Sequence, residues 1–549
     1  MRSNKENTLA WLMSGLFGVL AGVFLTFGYQ LETYDQINIF DKNAMLVMLA
    51  LIVIITVDTR YVWRNYDLTD SGAKLFGIVK LPKKGQVKDL SKREFFINYA
   101  SLVVLCIPVF LAEFPGFFVY DAQEELNEVL TRSFSTHHPL LHVLLLGGTI
   151  ALFHKISGSW NVGIAAYIIL QMLVISAVYA YVVTFLQRKG IAKRARVFWI
   201  LFYGLFPTIV MYTLCSCKDG LFSAFLLLMT VFLIQLVEDH EAFLKSKNKV
   251  CLFVLSGVLM PLFRHNGFYA YLVFVPFALF YFRKKLKPLL LSVLVSPVVL
   301  YLAISGILSG VFSSEVTHHQ EMLTVPIMQL ARVYSYDGDS LSDADKAVIE
   351  SYIHKENLDK YTPRVADIVK VDFDNELYEK DSKSFWKVWA KVFKEHPLAY
   401  VNAWMLTSYG YYYPPAVINV YKGNTVYTFT YDESSYFGYE VEPPGTRKSL
   451  IPAIDKLYRY ISIGGFQKDA TVLHLFFSPG LYLFVYMYVF AYRLSKKKFS
   501  RVLPFLPMIL TFCTVLLGPT YLIRYVLYLW TCLPLLTVTG GPVKGQQAV

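Results

Sequence analysis

Long apolar runs, separated by short polar and often basic segments, form the main pattern of this chain. A run of about 20 apolar residues makes a helix long enough to cross a bilayer. The runs recur over most of the sequence, so we predict an all-α, polytopic membrane protein with about twelve transmembrane helices. The predicted spans are 9–29, 44–60, 95–114, 161–186, 196–214, 219–237, 250–263, 268–282, 288–311, 471–491, 502–518 and 521–538.

Two further apolar runs are predicted to remain on the outer side as interfacial or re-entrant helices. If residues 139–156 crossed the membrane, the strongly basic segment 188–196 would lie outside, against the positive-inside rule. Residues 396–414 are rich in tyrosine, which favours the membrane interface. Counting both runs as spans would give fourteen crossings. Whether they cross is left open by the pattern.

Composition and charge agree with a membrane protein. Hydrophobic residues make up 55% of the 549 residues, and the formal net charge is +12. The lysines and arginines cluster in 60–94, 188–196, 283–287 and 493–501, between apolar runs. This distribution is typical of cytoplasmic loops, so we predict cytoplasmic N- and C-termini and no nucleic-acid partner. The predicted location is the cell membrane.

The same pattern divides the chain into parts. A polar helical segment over Ser342–Ile353, with Ser342 as a candidate N-cap, indicates that the long region outside the membrane is folded. The predicted parts are two N-terminal spans (1–64), a basic cytoplasmic loop (65–94), a membrane core with its first outer loop at 115–160 (95–312), a mainly helical exoplasmic region (313–470) and C-terminal spans (471–549).

Chemically capable side chains fall at the outer ends of the predicted spans. An acid at a membrane edge is costly unless it serves a function. Four groups are therefore candidates: Asp121 with Glu124, Glu125, His137 and His138; Lys218 with Asp219; Arg264 with His265; and Arg524 with Tyr525.

This set of residues suits displacement of a lipid phosphate by a hydroxyl group. A carboxylate such as Asp121 can take the proton of the attacking hydroxyl. Fixed cations in a partly dry site stabilise the charge that grows on the leaving phosphate, which makes Lys218, Arg264 and Arg524 candidates. The chain has neither a P-loop nor a strand-borne dinucleotide-binding glycine motif, and a lipid-carried donor needs neither.

Each of these residues also has a plain structural interpretation. Asp121 can be an ordinary acid at the interface, and Glu124 and Glu125 a solvated helix face. The arginines can anchor the helices at the headgroups. His137 and His138 can be helix-start polarity instead of metal ligands, and the six cysteines show no disulfide or zinc-type spacing.

The order of these motifs resembles the C-type membrane glycosyltransferase superfamily (GT-C), and more narrowly an uncharacterised bacterial branch of it. The resemblance covers about residues 95–538. The motifs that carry it are Tyr120-Asp121, Thr136-His137-His138-Pro139, Cys217-Lys218-Asp219-Gly220, Arg264-His265-Asn266-Gly267, Val325-Pro326-Ile327-Met328-Gln329-Leu330-Ala331-Arg332, Tyr409-Gly410-Tyr411-Tyr412-Tyr413-Pro414 and Arg524-Tyr525-Val526-Leu527.

The resemblance implies a GT-C-like fold, a polyprenyl-phosphate-linked sugar donor and an active site on the outer face. Asp121 matches the first-loop acid of that superfamily, which serves as base or as metal ligand depending on the branch, and Asp219 matches the second-turn acid. The Asp-Glu pair of some branches appears here as Asp121-Ala122. The participation of a divalent cation is therefore left open.

The function predicted from the sequence is that of an inverting glycosyltransferase. It would move a hexose or pentose from the lipid-linked donor to a cell-envelope glycan, lipid or protein. A lipid-linked sugar transporter or flippase, or an envelope glycan polymerase or ligase, is the alternative. Asp121 and Asp219 are the predicted catalytic residues. The predicted binding residues are Lys218, Arg264, His265, Arg524, Tyr525, His137 and His138.

Overall fold

The protein is helical, as the apolar pattern predicts. The computed structural model describes residues 4–68, 91–312, 319–416, 441–462 and 466–539. Over these ranges the chain forms α-helices and short 3-10 helices, with no β-strand. Two isolated β-bridges occur, and the one between Phe117 and Cys215 lies beside the candidate site.

The helices before residue 313 include most of the long ones. They are α1 (Asn4–Tyr34), α2 (Lys42–Leu68), α3 (Lys92–Ala112), α4 (Ala122–Thr131), α5 (Leu140–Ser157), α6 (Trp160–Arg188), α7 (Lys193–Leu205), α8 (Pro207–Thr213), α9 (Asp219–Glu238), α10 (His240–Lys245), α11 (Lys247–Phe263), α12 (His265–Phe282) and α13 (Pro288–Phe312).

The remaining helices are mostly shorter, with 3-10 turns between several of them. They are α14 (Thr324–Tyr336), α15 (Asp343–Tyr352), α16 (Lys355–Leu358), α17 (Asp367–Lys370), α18 (Asn375–Glu395), α19 (Pro397–Leu406), α20 (Pro452–Ser462), α21 (Phe466–Asp469), α22 (Pro479–Ser495), α23 (Leu506–Val515), α24 (Tyr528–Thr531) and α25 (Leu533–Thr539).

Seven helices of the described ranges are long and apolar enough to cross a membrane: α1, α2, α3, α5, α6, α9 and α13. An eighth candidate is α7 with α8, which are bent by 57° at their junction. These apolar helices indicate a membrane-embedded protein. The predicted spans at 250–263, 268–282, 471–491, 502–518 and 521–538 correspond to helices outside that set, so the count of twelve stays a prediction.

Helix α5 covers the run that was predicted to stay on the outer side. It meets the length and composition of a span. However, it packs as a hairpin on the first part of α6: His142 contacts Tyr167, and the ring of His154 stacks on Trp160 at a centroid distance of 3.6 Å. Helix α6 continues to Arg188, well beyond this contact. The other demoted run forms α19, whose ten residues extend about 15 Å and are too short to cross.

The bundle has one end rich in basic residues, opposite the end that carries the candidate site. There, Arg196 lies 3.8 Å from Glu94, Lys287 lies 3.6 Å from Glu241, and Lys189 pairs with Glu238. Helices α3, α6, α9, α11 and α12 each run from one of these ends to the other. The described parts of the segments used to predict the cytoplasmic side therefore meet at one end, and most of the predicted loop 65–94 lies outside the described residues.

The region after α13 has a hydrophobic core of its own. Its buried residues include Ile327, Met328, Phe385 and Val392, drawn from α14 and α18. The predicted cap is present, since the hydroxyl of Ser342 accepts a hydrogen bond from the backbone N–H of Asp345 at the start of α15. This region is therefore a packed helical unit and not a linker.

The same region is tied to the end of α1. The guanidinium of Arg364 lies 2.9 Å from Asp35, and the Tyr409 hydroxyl donates to Glu32 at 2.7 Å. The backbone N–H of Ala366 donates to the Pro519 carbonyl at 3.0 Å, five residues before Arg524. These contacts place the helical unit on the same end of the bundle as the candidate site.

A labelling experiment tests the predicted orientation of the two ends. Ser351→Cys on α15 and Lys245→Cys at the end of α10 both replace exposed residues. We expect a membrane-impermeant maleimide to label the first variant in intact cells and the second only after permeabilisation, because basic ends face the cytoplasm. The parent chain supplies the background from its own cysteines. Equal labelling of both variants in intact cells would contradict the orientation.

Candidate active site

A backbone contact between two loops brings the acidic and basic groups together. The N–H of Phe117 donates to the carbonyl of Leu214 at 3.0 Å, and the N–H of Ser216 donates to the carbonyl of Phe117 at 2.8 Å. The two segments thus run side by side for a few residues. Asp121 follows one of them and Lys218 follows the other, so the pairing sets these two side chains next to each other.

The first loop reaches this position through two residues with positive φ. Gly116 has φ +115°, and a Cβ there would lie 2.7 Å from Ile168, so a larger residue would clash. Tyr120 has φ +67°, which is unfavourable for a residue with a side chain. Its buried hydroxyl lies 3.2 Å from that of Tyr212. This conformation directs the chain into α4 immediately after Asp121.

Lys218 lies at the centre of the acidic cluster. Its ammonium donates to Asp121 Oδ2 at 2.7 Å and to Glu125 Oε1 at 3.4 Å. It is also 3.0 Å from His138 Nδ1. The Lys218 side chain is only 12% exposed, so these contacts are made largely out of water. One cation thus holds two carboxylates and an imidazole from α4 and the segment that follows it.

Two arginines form the other half of the site. Arg264 donates from Nη1 to Asp219, the first residue of α9. Arg524 contacts the acids only at long range: its Nη1 is 3.5 Å from Asp121, and its Nε is 3.9 Å from Asp219. Arg524 thus has the weakest carboxylate pairing of the three cations.

Tyrosine rings support both guanidinium groups. The Tyr525 ring centroid is 4.2 Å from the Arg264 guanidinium carbon and 4.9 Å from that of Arg524, and the Tyr120 ring is 4.1 Å from Arg524. Cation–π contacts of this kind fix the planes of the guanidinium groups. The Tyr525 hydroxyl also accepts from Arg524 Nη2 at 3.1 Å.

Most of the candidate residues named from the sequence meet here, and two histidines do not. His137 is exposed and touches the site only through the edge of the His138 ring, at a centroid distance of 4.6 Å. His265 lies 3.0 Å from the hydroxyl of Tyr301 on α13. The residues that come together are Asp121, Lys218, Asp219, Arg264, Arg524, Tyr525 and His138.

Glu125 corrects an expectation from the sequence. The pair Glu124 and Glu125 was interpreted as a solvated helix face, and this holds for Glu124, which is 75% exposed. Glu125 is 2% exposed and bound to Lys218 and His142. The spacing of four residues from Asp121 places both acids on one face of α4, and this was the signal that could have identified it.

A buried polar chain extends from Glu125 into the bundle. Glu125 contacts His142 Nδ1, and His142 Nε2 is 2.7 Å from the Tyr167 hydroxyl, which donates to Gln171 at 2.9 Å. The Gln171 amide then donates to the carbonyl of Cys215 at 2.5 Å. The chain links α4, α5 and α6 to the loop that carries Lys218, so it supports the position of that loop.

The charges of the cluster stabilise its ionised state. Burial alone would raise the pKa of Asp121, but Lys218 and Arg524 outweigh it and hold that pKa well below the ordinary value. The pKa of Glu125 is lowered to about 2, because His142 and Lys218 overcome the effect of burial. Asp121 and Glu125 therefore remain ionised at neutral pH.

A segment from the second half of the chain covers the first loop. The N–H of Glu442 donates to the Phe118 carbonyl at 2.9 Å, and the N–H of Lys448 donates to the Phe114 carbonyl at 2.9 Å. Burial, together with the charges of Asp121 and Glu124, raises the pKa of Glu442 to about 8. The sequence pattern did not predict this residue as part of the site.

One comparison with known proteins gives a match. The model of a family of unknown function, DUF6020, matches residues 127–548. The matched range contains Lys218, Asp219, Arg264 and Arg524 and begins six positions after Asp121. No curated protein and no solved structure matches the chain.

The raised pKa of the Glu442 carboxyl makes the stability of the fold depend on pH. Its folded pKa of about 8 is above the ordinary value of 4.5, so its contribution to stability is fully present below about pH 4.5 and is lost as the pH rises through about 8. Glu442→Gln cannot titrate. From pH 5 to pH 8, we expect the Tm of the wild type to decrease by at least about 2 °C more than the Tm of the variant.

Thermal unfolding of the detergent-purified chain measures this difference. Glu356→Gln replaces an exposed glutamate and is the matched control, whose pH dependence should follow the wild type. Parallel curves for wild type and Glu442→Gln would show that the buried carboxyl does not titrate in this range.

Proposed function

We propose that this chain, which belongs to the family of unknown function DUF6020, is a membrane glycosyltransferase. It transfers a sugar from a polyprenyl-phosphate-linked donor to a cell-envelope acceptor, on the outer face of the cell membrane. The GT-C-like architecture with about twelve spans is part of the same proposal. The acceptor is a glycan, a lipid or a protein.

One observation carries the proposal: Asp121 lies at the meeting point of two cations that come from distant parts of the chain. Lys218 and Arg524 both face Asp121 Oδ2, at 2.7 Å and 3.5 Å. A carboxylate beside fixed cations, at the end of an apolar bundle, provides a base next to a phosphate-binding group. Those are the two functions that transfer from a lipid phosphate requires.

In the proposed reaction, the acceptor hydroxyl attacks the anomeric carbon of the sugar. The new bond joins the acceptor oxygen to that carbon, the bond from the carbon to the phosphate oxygen breaks, and its electron pair remains on the phosphate. Asp121 receives the hydroxyl proton. Attack opposite the leaving group inverts the anomeric configuration.

Binding of the donor also makes Asp121 a better base. In the present arrangement its low pKa makes it a weak proton acceptor. A donor phosphate competes with Asp121 for the guanidinium of Arg524, whose 3.5 Å contact is the looser of the two. Loss of that contact raises the pKa of Asp121 as the donor arrives, which links base strength to an occupied site.

Arg524 is the main phosphate-binding residue in this scheme, and Arg264 supports it. The guanidinium of Arg524 is planar, lies against the rings of Tyr120 and Tyr525, and makes only long contacts with acids. Arg264 is already bound to Asp219, so its contribution is to hold that acid and the start of α9 in place. Asp219 is thereby a positioning residue for the arginines.

The position of the charges favours an enzyme over a transporter. The site lies at one end of the bundle, at the starts of α4, α9 and α12. A transporter for a lipid-linked sugar would be expected to place such groups near the middle of the membrane. In proteoliposomes, label on an acceptor supports the enzyme, and movement of labelled lipid without a new bond supports a flippase. A long glycan product would support a polymerase or ligase.

Asp121→Asn is the direct test of the proposed base. The amide cannot accept the hydroxyl proton, so we expect transfer to fall at least about 100-fold. The assay follows radiolabel from a panel of polyprenyl-phosphate-linked hexoses and pentoses into envelope material of membranes that contain the chain. Asp339→Asn makes the same change at an exposed aspartate outside the site and should keep wild-type transfer. Near-normal turnover by Asp121→Asn at equal membrane levels would rule out the proposed base.

Arg524→Lys tests the phosphate-binding residue. Lysine keeps the charge but loses the planar, two-pronged hydrogen bonding and the stacking on Tyr120 and Tyr525. We expect the KM for the lipid-linked donor to rise about tenfold, which corresponds to one lost charge-assisted hydrogen bond. The matched control is Arg459→Lys in the Asp455 pair on α20. An unchanged donor KM in Arg524→Lys would argue against phosphate binding at this position.

A further inference from the structure

Three side chains of the site have the composition and spacing of a divalent-cation site. Asp121, Glu125 and His138 each offer one ligand atom, and these atoms all lie within 4.8 Å of one another. Two carboxylates and an imidazole form a donor set that suits ions such as Mn²⁺ or Zn²⁺. The position of Lys218 decides whether the three residues fit such an ion.

The ammonium of Lys218 makes contact with the same three residues. It lies 2.7 Å from Asp121 Oδ2, 3.4 Å from Glu125 Oε1 and 3.0 Å from His138 Nδ1. An ammonium has three N–H donors and no acceptor, so three acceptors match its full capacity. The lone pairs that would bind a metal thus point at the positively charged Nζ of Lys218.

The orientation of His138 is consistent with this arrangement. Its Nε2 lies 3.4 Å from Glu124, so the Nε2–H group donates a hydrogen bond to that carboxylate, and the lone pair on Nδ1 accepts from Lys218. The loop around Lys218 is also fixed. Ser216 bonds to Phe117, and Asp219 is held by Arg264. The residues on both sides of Lys218 are therefore held in place.

The charges of the site are balanced without a metal. Apart from the exposed Glu124, Asp121, Glu125 and Asp219 carry three negative charges, and Lys218, Arg264 and Arg524 carry three positive charges. A divalent ion among the three ligand atoms would lie beside the ammonium, at a distance where like charges repel strongly in a buried site. The three residues do not fit a metal as long as Lys218 stays in place.

We propose that Lys218 is the built-in cation of this site and occupies the position of a divalent ion. The wild-type cluster then binds no divalent ion, and removal of the lysine charge opens a metal site. Under the proposed function, on which this part rests, the ammonium supplies the positive charge next to Asp121 during transfer. Transfer is accordingly insensitive to chelators.

Mn²⁺ binding by the full-length protein tests the proposal without any assay of transfer. The chain is purified in detergent, treated with a chelator and titrated with Mn²⁺, while electron paramagnetic resonance reports the free ion. We expect no binding to this cluster in the wild type and about one Mn²⁺ per chain in Lys218→Met, whose side chain keeps a similar length without charge or N–H donors. The double variant Lys218→Met/Glu125→Gln should lose that ion, because one of three ligands is weakened.

Thermal unfolding gives a second measurement on the same samples. An ion that binds only the folded state raises the Tm. We expect Mn²⁺ to raise the Tm of Lys218→Met and to leave that of the wild type unchanged. Lys218→Gln is the substitute if the methionine variant does not fold, and Mn²⁺ should act on it in the same way.

Two results would overturn the proposal. One is Mn²⁺ binding by the wild type that Glu125→Gln abolishes. The other is a folded Lys218 variant that binds no more Mn²⁺ than the wild type. If the wild type transfers no sugar but the Mn²⁺ results are as expected, the proposed function fails while the cation assignment stands, so the two failures are distinguishable.

Discussion

The pairing of two short backbone segments, around Phe117 and Cys215, is the constraint on which the site depends. It joins the end of α3 to the loop between α8 and α9 and so places Asp121 against Lys218. A mostly buried acid is costly without a partner, and the pairing places Asp121 beside a cation. The buried chain from Glu125 to Gln171 holds the same loop from the other side.

Much of the fold follows from the sequence because hydrophobic length and charge act locally. The apolar runs form helices, the Ser342 cap starts α15, and the described parts of the basic segments meet at one end. Consecutive spans run in opposite directions, so every second connection between them lies at the same end of the bundle. The sequence therefore predicts that Lys218, Arg264 and Arg524 lie at one end. Their order along the chain was enough for this.

The finer composition of the site was less predictable, because it depends on contacts between distant segments. The sequence around Glu125 is typical of a surface position, but His142 from the next helix contacts its carboxylate and the side chain is buried. Glu442 belongs to a segment without helical periodicity, and only its bond to Phe118 brings it near Asp121. His137 and His138 are adjacent in sequence, yet His138 is buried and His137 is exposed.

The separation of the ion-pair partners along the chain affects biosynthesis. Asp121 and Arg524 are 403 positions apart, whereas Asp121 and Lys218 are 97 apart. At ribosomal rates of 5–20 residues per second, the lysine is made ~5–20 s after the aspartate, and the arginine only after ~20–80 s. Between these times, Asp121 has Lys218 as a partner but not yet Arg524. The C-terminal part of the chain then adds Arg524 to an ion pair whose two members, Asp121 and Lys218, were made much earlier.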